Sequence, residues 1–106
     1  MTTVPDLDSL LATLQPAERM HAFHEARLGG LRAYDRYHRA QLVETLAAYY
    51  ASGRSLVGTA QLLHKHRNTI LYRLRLIEEV AGVDLRDPQV ELELQVALRI
   101  AAALGA

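Results

Sequence analysis

Four apolar residues, Ile70, Leu74, Ile77 and Ala81, recur at spacings of four, three and four. Such spacing draws one apolar stripe along a helix and excludes a strand, whose side chains change face at every residue. Just upstream, Ser55 can cap a helix over residues 56–63. Three polar residues, His64, Lys65 and His66, then intervene before the striped helix, which spans about 67–80 and is closed by Gly82. Two helices joined by so short a break cross steeply, which requires a small residue where they touch. Ala60 fills that place, and Leu63 closes the first helix on the core side. The segment 55–81 therefore reads as a helix-turn-helix.

The remaining chain is punctuated in the same way. Leucine and alanine supply 19 and 16 residues, against 16 for Val, Ile and Thr together, which favours helix throughout. Asp8 or Ser9 can cap a short helix over 10–14 that Gln15-Pro16 ends, and Pro16 opens a second that Gly29-Gly30 stops after Leu28. A third helix is predicted from about His38 to Ala51, with apolar residues at 42, 43, 46, 47 and 50, ending at Ser52-Gly53. Asp87-Pro88 opens a last helix that runs to about Leu104 and stops at Gly105. The expected fold is all-α, a small helical bundle containing a helix-turn-helix. Residues 1–36 form a helical N-terminal segment, and 37–106 form the helix-turn-helix domain.

A length of 106 residues suits one compact domain, and 50% hydrophobic with 23% charged residues is the composition of a globular chain. No apolar run is long enough to span a membrane, and the N-terminus lacks the basic start of a secretory signal, so the chain reads as cytoplasmic. With no cysteine, thiol catalysis, disulfides and cysteine-based metal sites are excluded. The formal net charge of zero hides a strong asymmetry. Residues 1–44 carry five Arg against six acids; 45–77 carry four Arg and one Lys against none; 78–106 carry two Arg against six acids. A stretch of 33 residues without an acid is what a polyanion would feel. Its plainer reading is a solvated helix face.

With the stripe 70, 74, 77, 81 turned inward, the second helix presents Asn68, Tyr72, Arg75 and Glu79 on its opposite face. Thr69, Arg73 and Leu76 lie to one side, and Arg67 lies near the start. Arg, Asn, Thr and Tyr on the first two turns are groups that reach base edges and phosphates, and acids appear only at Glu78 and Glu79. This polarity suits a recognition helix entering a major groove by its N-terminal half. The candidate DNA-binding residues are Arg54, Lys65, His66, Arg67, Asn68, Thr69, Tyr72, Arg73 and Arg75. Plainer roles stand beside these. Asn68 and Thr69 can merely start the helix, Tyr72 can pack on Leu76, and Arg73 can meet an internal carboxylate such as Glu44. His64 suits a turn, and His66 suits a cap or a phosphate.

A histidine metal or enzymatic site is the competing chemistry. His64-x-His66 and His21-x-x-His24 have ligand-compatible spacings. No HExxH, glycine-rich phosphate loop, carboxylate constellation or Ser/His/Asp set accompanies them, so no enzyme activity, cofactor or metal is expected. A helical protein-interaction or dimerisation domain without DNA is the other alternative.

The residues 46–50 (LAAYY), Thr59-Ala60 with Leu62-Leu63-His64, His66-Arg67-Asn68-Thr69 and Tyr72-Arg73-Leu74 resemble the C-terminal DNA-binding domain of PucR/CdaR-type transcriptional regulators. Leu31 with Tyr34-Asp35, Gly82 with Asp84-Leu85, and Ala97-Leu98-Arg99 extend the resemblance over about residues 28–104. The helix pair is also similar to the Fis type. Three positions depart from the pattern. Lys65 replaces an apolar turn residue, Tyr50 a leucine, and Leu76 a second basic residue, which removes one possible phosphate contact. The resemblance implies sequence-specific binding of double-stranded DNA, with a small-molecule effector acting only through a sensor region that this sequence lacks. It also implies a C-terminal fragment or a short stand-alone version.

The last helix carries two apolar rows, Val90, Leu94, Ala97, Ala101, Leu104 and Leu92, Val96, Ile100, Ala103. One row serves the core. The second predicts a homodimer through this helix, assisted by the N-terminal helices.

Overall fold

A computed structural model describes Asp6, Ser9 and residues 17–105. Among these residues it contains five α-helices and no strand: α1 (Ala17–His38), α2 (Leu42–Ala51), α3 (Leu56–Leu63), α4 (Arg67–Ala81) and α5 (Pro88–Ala103). The short helix expected over 10–14 lies outside the described residues. Leu28 and Leu31 of α1, Leu42 and Leu46 of α2, Ile70, Leu74 and Ile77 of α4, Leu85, and Leu94, Ala97 and Ala101 of α5 form one buried core. α5 lies mainly along α1, while α2 packs on α1, α3 and α4.

The first departure from expectation is α1, which runs straight through Gly29-Gly30. Each glycine weakens a helix interior by roughly 1 kcal/mol relative to alanine. Leu28 and Leu31 flank the pair and are both buried completely. Fixing these two side chains in the core outweighs the local penalty, because burying a leucine is worth roughly 1.5–3 kcal/mol.

The second departure is the start of α2, at Leu42 rather than near His38. Residues 39–41 form a turn in which Arg39 (φ 53°) and Gln41 (φ 58°) are left-handed. Gln41 makes no side-chain cap. Asp35, on the last turns of α1, caps α2 instead: its carboxylate accepts from the backbone N–H of Leu42 (2.6 Å) and of Val43 (3.0 Å). The reversal needed to bring α2 back onto this carboxylate ends α1 at His38. The Arg39 N–H donates to the Asp35 carbonyl at 2.7 Å and closes the turn.

The helix-turn-helix itself has the expected ends. The Ser55 hydroxyl caps α3 by accepting from the Gly58 N–H at 2.9 Å. His64 is a left-handed turn residue (φ 53°), and Nδ1 of His66 accepts from the Asn68 N–H at 3.0 Å, capping α4. Gly82 (φ 67°) closes α4, and Asp87 with Pro88 opens α5. The α2–α3 turn packs closely on the front of α3: a Cβ on Gly58 would stand 3.0 Å from the Ser52 Cβ and 3.1 Å from the Ser55 Oγ. Ala60 is half-buried against the core, and the residue of α3 with no exposure is Thr59. Its hydroxyl donates to the Ser55 carbonyl (2.7 Å) and lies 3.1 Å from the Ser52 Oγ, so the buried oxygen is satisfied.

Candidate nucleic-acid interface

α4 is anchored by its stripe. Ile70 and Ile77 have no exposure, Leu74 is buried and Ala81 half-buried, against α1 and α2. Anchoring one face fixes what the other displays: Arg67, Asn68, Tyr72, Arg75 and Glu79 are exposed, and Thr69 is half-buried beside them. Lys65 and His66 are exposed on the turn that leads in. Tyr72 keeps 64% of its surface in solvent, so packing on Leu76 is not its main environment. Lys65, Arg67 and Arg75 form no ion pair among the described residues. Seven of the nine candidates, Lys65, His66, Arg67, Asn68, Thr69, Tyr72 and Arg75, thus share the turn and the outward side of α4.

The other two candidates have internal partners. Arg73, half-buried at the flank of α4, donates from Nη2 to the Gln41 Oε1 (3.2 Å) and from Nη1 to the Thr45 Oγ1 (3.4 Å). These neutral acceptors at the start of α2 take the place of the Glu44 carboxylate expected from the sequence. Thr45 is completely buried and donates its own hydroxyl proton to the Gln41 carbonyl at 2.7 Å, which leaves its lone pairs toward Arg73. Nothing in the spacing of Gln41, Thr45 and Arg73 marks them as partners before the packing of α2 on α4 is known. Arg54, at the α2–α3 turn, pairs with Glu91 of α5 at 3.1 Å.

Acidic α5 is used for ties of this kind: Glu91 holds Arg54, and Glu93 holds Arg27 of α1 at 3.4 Å. The guanidinium of Arg27 also lies 4.5 Å from the Phe23 ring centre. Glu78, on the last turns of α4, is likewise turned to structure, since its Oε2 accepts from the Leu85 N–H at 2.9 Å. Of the three departures from the family pattern, Leu76 is half-buried against the core and Lys65 is exposed. Tyr50 is half-buried in the wall of α2, and burial pushes its phenol up to about 12.

The histidines of the two ligand-compatible pairs have other surroundings. His24 is buried on α1, its Nε2 lies 3.3 Å from the His21 Nδ1, and desolvation lowers its pKa from the ordinary value. His64 and His66 are spent on a turn and a cap. Among the described residues no group of three or more His, Asp or Glu is placed to hold a metal ion, and no helix is long and apolar enough to cross a membrane.

Comparison with known proteins fits this geometry. The family model of the PucR C-terminal helix-turn-helix domain matches residues 42–100, from the start of α2 to near the end of α5. Over 92% of its length the chain is 36% identical to the purine catabolism regulatory protein of Bacillus subtilis, covering 17% of that protein. Over 85% it is 27% identical to the DNA-binding transcriptional activator AdeR of the same organism, covering 21% of it. It is 41% identical over 56% of its length to the carbohydrate diacid regulator of Escherichia coli, covering 15% of that protein. The chain thus spans about a fifth or less of these relatives. No solved structure matches it. The match covers more than half of the chain and contains all of the helix pair, α3 and α4, so the chain belongs to the PucR C-terminal helix-turn-helix domain family, a family of transcription-regulator domains and not of enzymes.

Proposed function

We propose that the chain binds double-stranded DNA sequence-specifically, with α4 in the major groove, as the C-terminal module of a PucR-type transcriptional regulator. The observation that carries this reading is the outward face of α4: exposed Arg67, Asn68, Tyr72 and Arg75, free of acids until Glu78, on a helix whose inner face is locked in the core. Arg67, Asn68, Thr69 and Tyr72 meet base edges, where arginine and asparagine make the two commonest bidentate contacts, to guanine and adenine. Lys65, Arg73, Arg75 and Arg54 hold phosphates, and His66 joins them at the helix start. Arg73 approaches the backbone already oriented by Gln41 and Thr45. Arg54 is the weakest of the set, because Glu91 offsets its charge.

In this reading residues 37–106 are the DNA-binding domain, and 1–36 are a helical segment that supports it. The module is cytoplasmic, catalyses no reaction, needs no cofactor and responds to a small-molecule effector only through a sensor region outside this chain. It acts as a homodimer through α5 and the N-terminal helices. Leu92, 59% exposed on α5, supports that interface, whereas Ile100 of the same row is buried within the chain and is not available to a partner. Two α4 helices then enter half-sites about 34 Å apart on one face of the duplex.

The test is a fluorescence-anisotropy titration of the chain against genomic duplex fragments at several salt concentrations, alongside Arg67→Ala/Arg75→Ala. The four contacts of Lys65, Arg73, Arg75 and Arg54 make log affinity fall against log salt with a slope at least as steep as roughly −3.6 per chain, and the variant loses binding. Asn68→Ala relaxes preference at one base pair at a cost of about 1–3 kcal/mol, whereas a uniform loss on all sequences assigns Asn68 to the backbone. Absence of salt-sensitive binding by the unaltered chain overturns the reading in favour of a protein-interaction domain.

A further inference from the structure

Four consecutive residues at the C-terminal end of α1 and in the turn after it, Arg36, Tyr37, His38 and Arg39, are all exposed. Tyr37 keeps 84% of its surface in solvent, more than any other large hydrophobic residue described. The charge balance of residues 1–44 conceals this patch, because the nearest acid, Asp35, has its carboxylate turned inward onto the N–H groups of Leu42 and Val43. Neither Arg36 nor Arg39 forms an ion pair among the described residues. What faces outward is therefore two uncompensated arginines with an aromatic and a histidine between them.

The patch is held in place. The His38 ring lies 4.2 Å from that of Tyr34 and 4.9 Å from that of Tyr37, centre to centre. Arg39 is fixed in its left-handed conformation by its hydrogen bond to the Asp35 carbonyl. Two residues of the patch, His38 and Arg39, also adjoin α4. A groove of about 350 Å³ is lined on one side by Tyr34, His38 and Arg39, and on the other by Thr69, Tyr72 and Arg73. Cations at a helix C-terminus have a plainer use, offsetting the negative end of the helix dipole. That use explains neither the exposed Tyr37 nor the groove that His38 and Arg39 share with the flank of α4.

We infer that Arg36, Tyr37, His38 and Arg39 form a second phosphate-contacting surface, gripping the DNA strand that borders the major groove entered by α4. The inference rests on the DNA-binding reading above and extends it to a segment outside the helix-turn-helix. A polyanion lying across Asn68, Thr69 and Tyr72 has one backbone passing over the groove toward α1. There the two guanidinium groups donate to phosphate oxygens, and Tyr37 offers a hydroxyl and a flat ring against the sugar.

The experiment uses the full chain in the same anisotropy titration, with Arg36→Ala/Arg39→Asn beside Arg75→Ala. Asparagine tolerates the left-handed backbone at position 39, and Arg36→Gln alone provides a variant that leaves the turn untouched. Loss of two phosphate contacts makes the salt slope shallower by roughly 1.8. The gain in affinity over a roughly tenfold reduction of salt then shrinks by about 60-fold, and Arg36→Gln shows half the change in slope. Unchanged affinity and slope in both variants, while Arg75→Ala weakens binding, overturns this inference alone. No salt-sensitive binding by the unaltered chain overturns the DNA-binding reading and this one with it.

Discussion

Where α5 meets α1 and the α2–α3 turn, arginines meet carboxylates, Arg27 on Glu93 and Arg54 on Glu91. On the turn before α4 and along its outward face, Lys65, Arg67 and Arg75 stand in solvent without one among the described residues. The same chain thus pairs its charges on one side and leaves them unpaired on the other. Surface ion pairs contribute at most about 1 kcal/mol each, so pairing on α5 adds little to stability. Its larger consequence is electrostatic: the acids that bring the chain to zero net charge are partly neutralised away from α4, and the field at the outward face remains positive. One region keeps its charges on partners within the chain, and the other leaves them free for a ligand.

The sharpest way to break that division is to substitute two residues two positions apart on α4. Ile77 has no exposure and belongs to the buried core. Ile77→Ala lowers unfolding free energy by about 2–5 kcal/mol in urea denaturation, through lost burial and the cavity left behind. Arg75→Ala leaves unfolding within about 0.5 kcal/mol of the unaltered chain while weakening DNA binding on every sequence alike. If Arg75→Ala destabilised the fold as much as Ile77→Ala, the separation of the two faces would be wrong.

A smaller effect tests the hinge between the regions. Asp35→Ala removes both acceptors that cap α2 and is expected to cost about 1–2 kcal/mol, read from the shift of the urea midpoint at unchanged slope. Because the same carboxylate orders the turn that presents Arg39, this variant also weakens DNA binding if the α1 patch takes part.

These contrasts show how the fold can be read from the sequence and where such reading stops. Ser55, Gly82 and Asp87-Pro88 act within a few residues of themselves, so the ends of α3, α4 and α5 are legible from local chemistry. The stripe on α4 is legible because periodicity encodes which face is buried, and with it the outward candidates. Gly29-Gly30 misleads because propensity is local, whereas the burial of Leu28 and Leu31 comes from α2, α4 and α5. The turn at 39–41 is invisible because two non-glycine residues adopt positive φ and the cap comes from seven residues upstream. Arg73 escapes for a related reason, since its partners lie 28 and 32 positions away and are uncharged.

The buried His24 gives the core a pH dependence that the solvent-facing α4 surface does not need. Desolvation lowers its pKa in the folded chain, so the unfolded chain binds the proton more readily. Its contribution to stability is complete above the unfolded value near 6.5 and is lost as pH falls below that toward the folded value. Thermal or urea unfolding between about pH 7 and pH 5 should therefore show stability falling with acidity, and His24→Leu should flatten that part of the profile. An unchanged profile in the variant assigns the acid sensitivity to other groups.

Gly30→Ala carries the comparison back to α1 with the smallest expected change. Position 30 is exposed, lies within a continuous helix, and a Cβ there meets nothing within 4 Å. Alanine lowers the conformational entropy of the unfolded chain without strain in the folded one, so stability rises by about 0.5–1 kcal/mol. Gly29 is the poorer choice, because a Cβ there stands 2.9 Å from the Glu25 carboxylate and forces that side chain to move. DNA affinity is expected to be unchanged in Gly30→Ala. A loss of stability would mean that α1 bends at this point in solution, and a gain in stability coupled to weaker binding would mean that α1 must flex for its C-terminal arginines to reach the duplex.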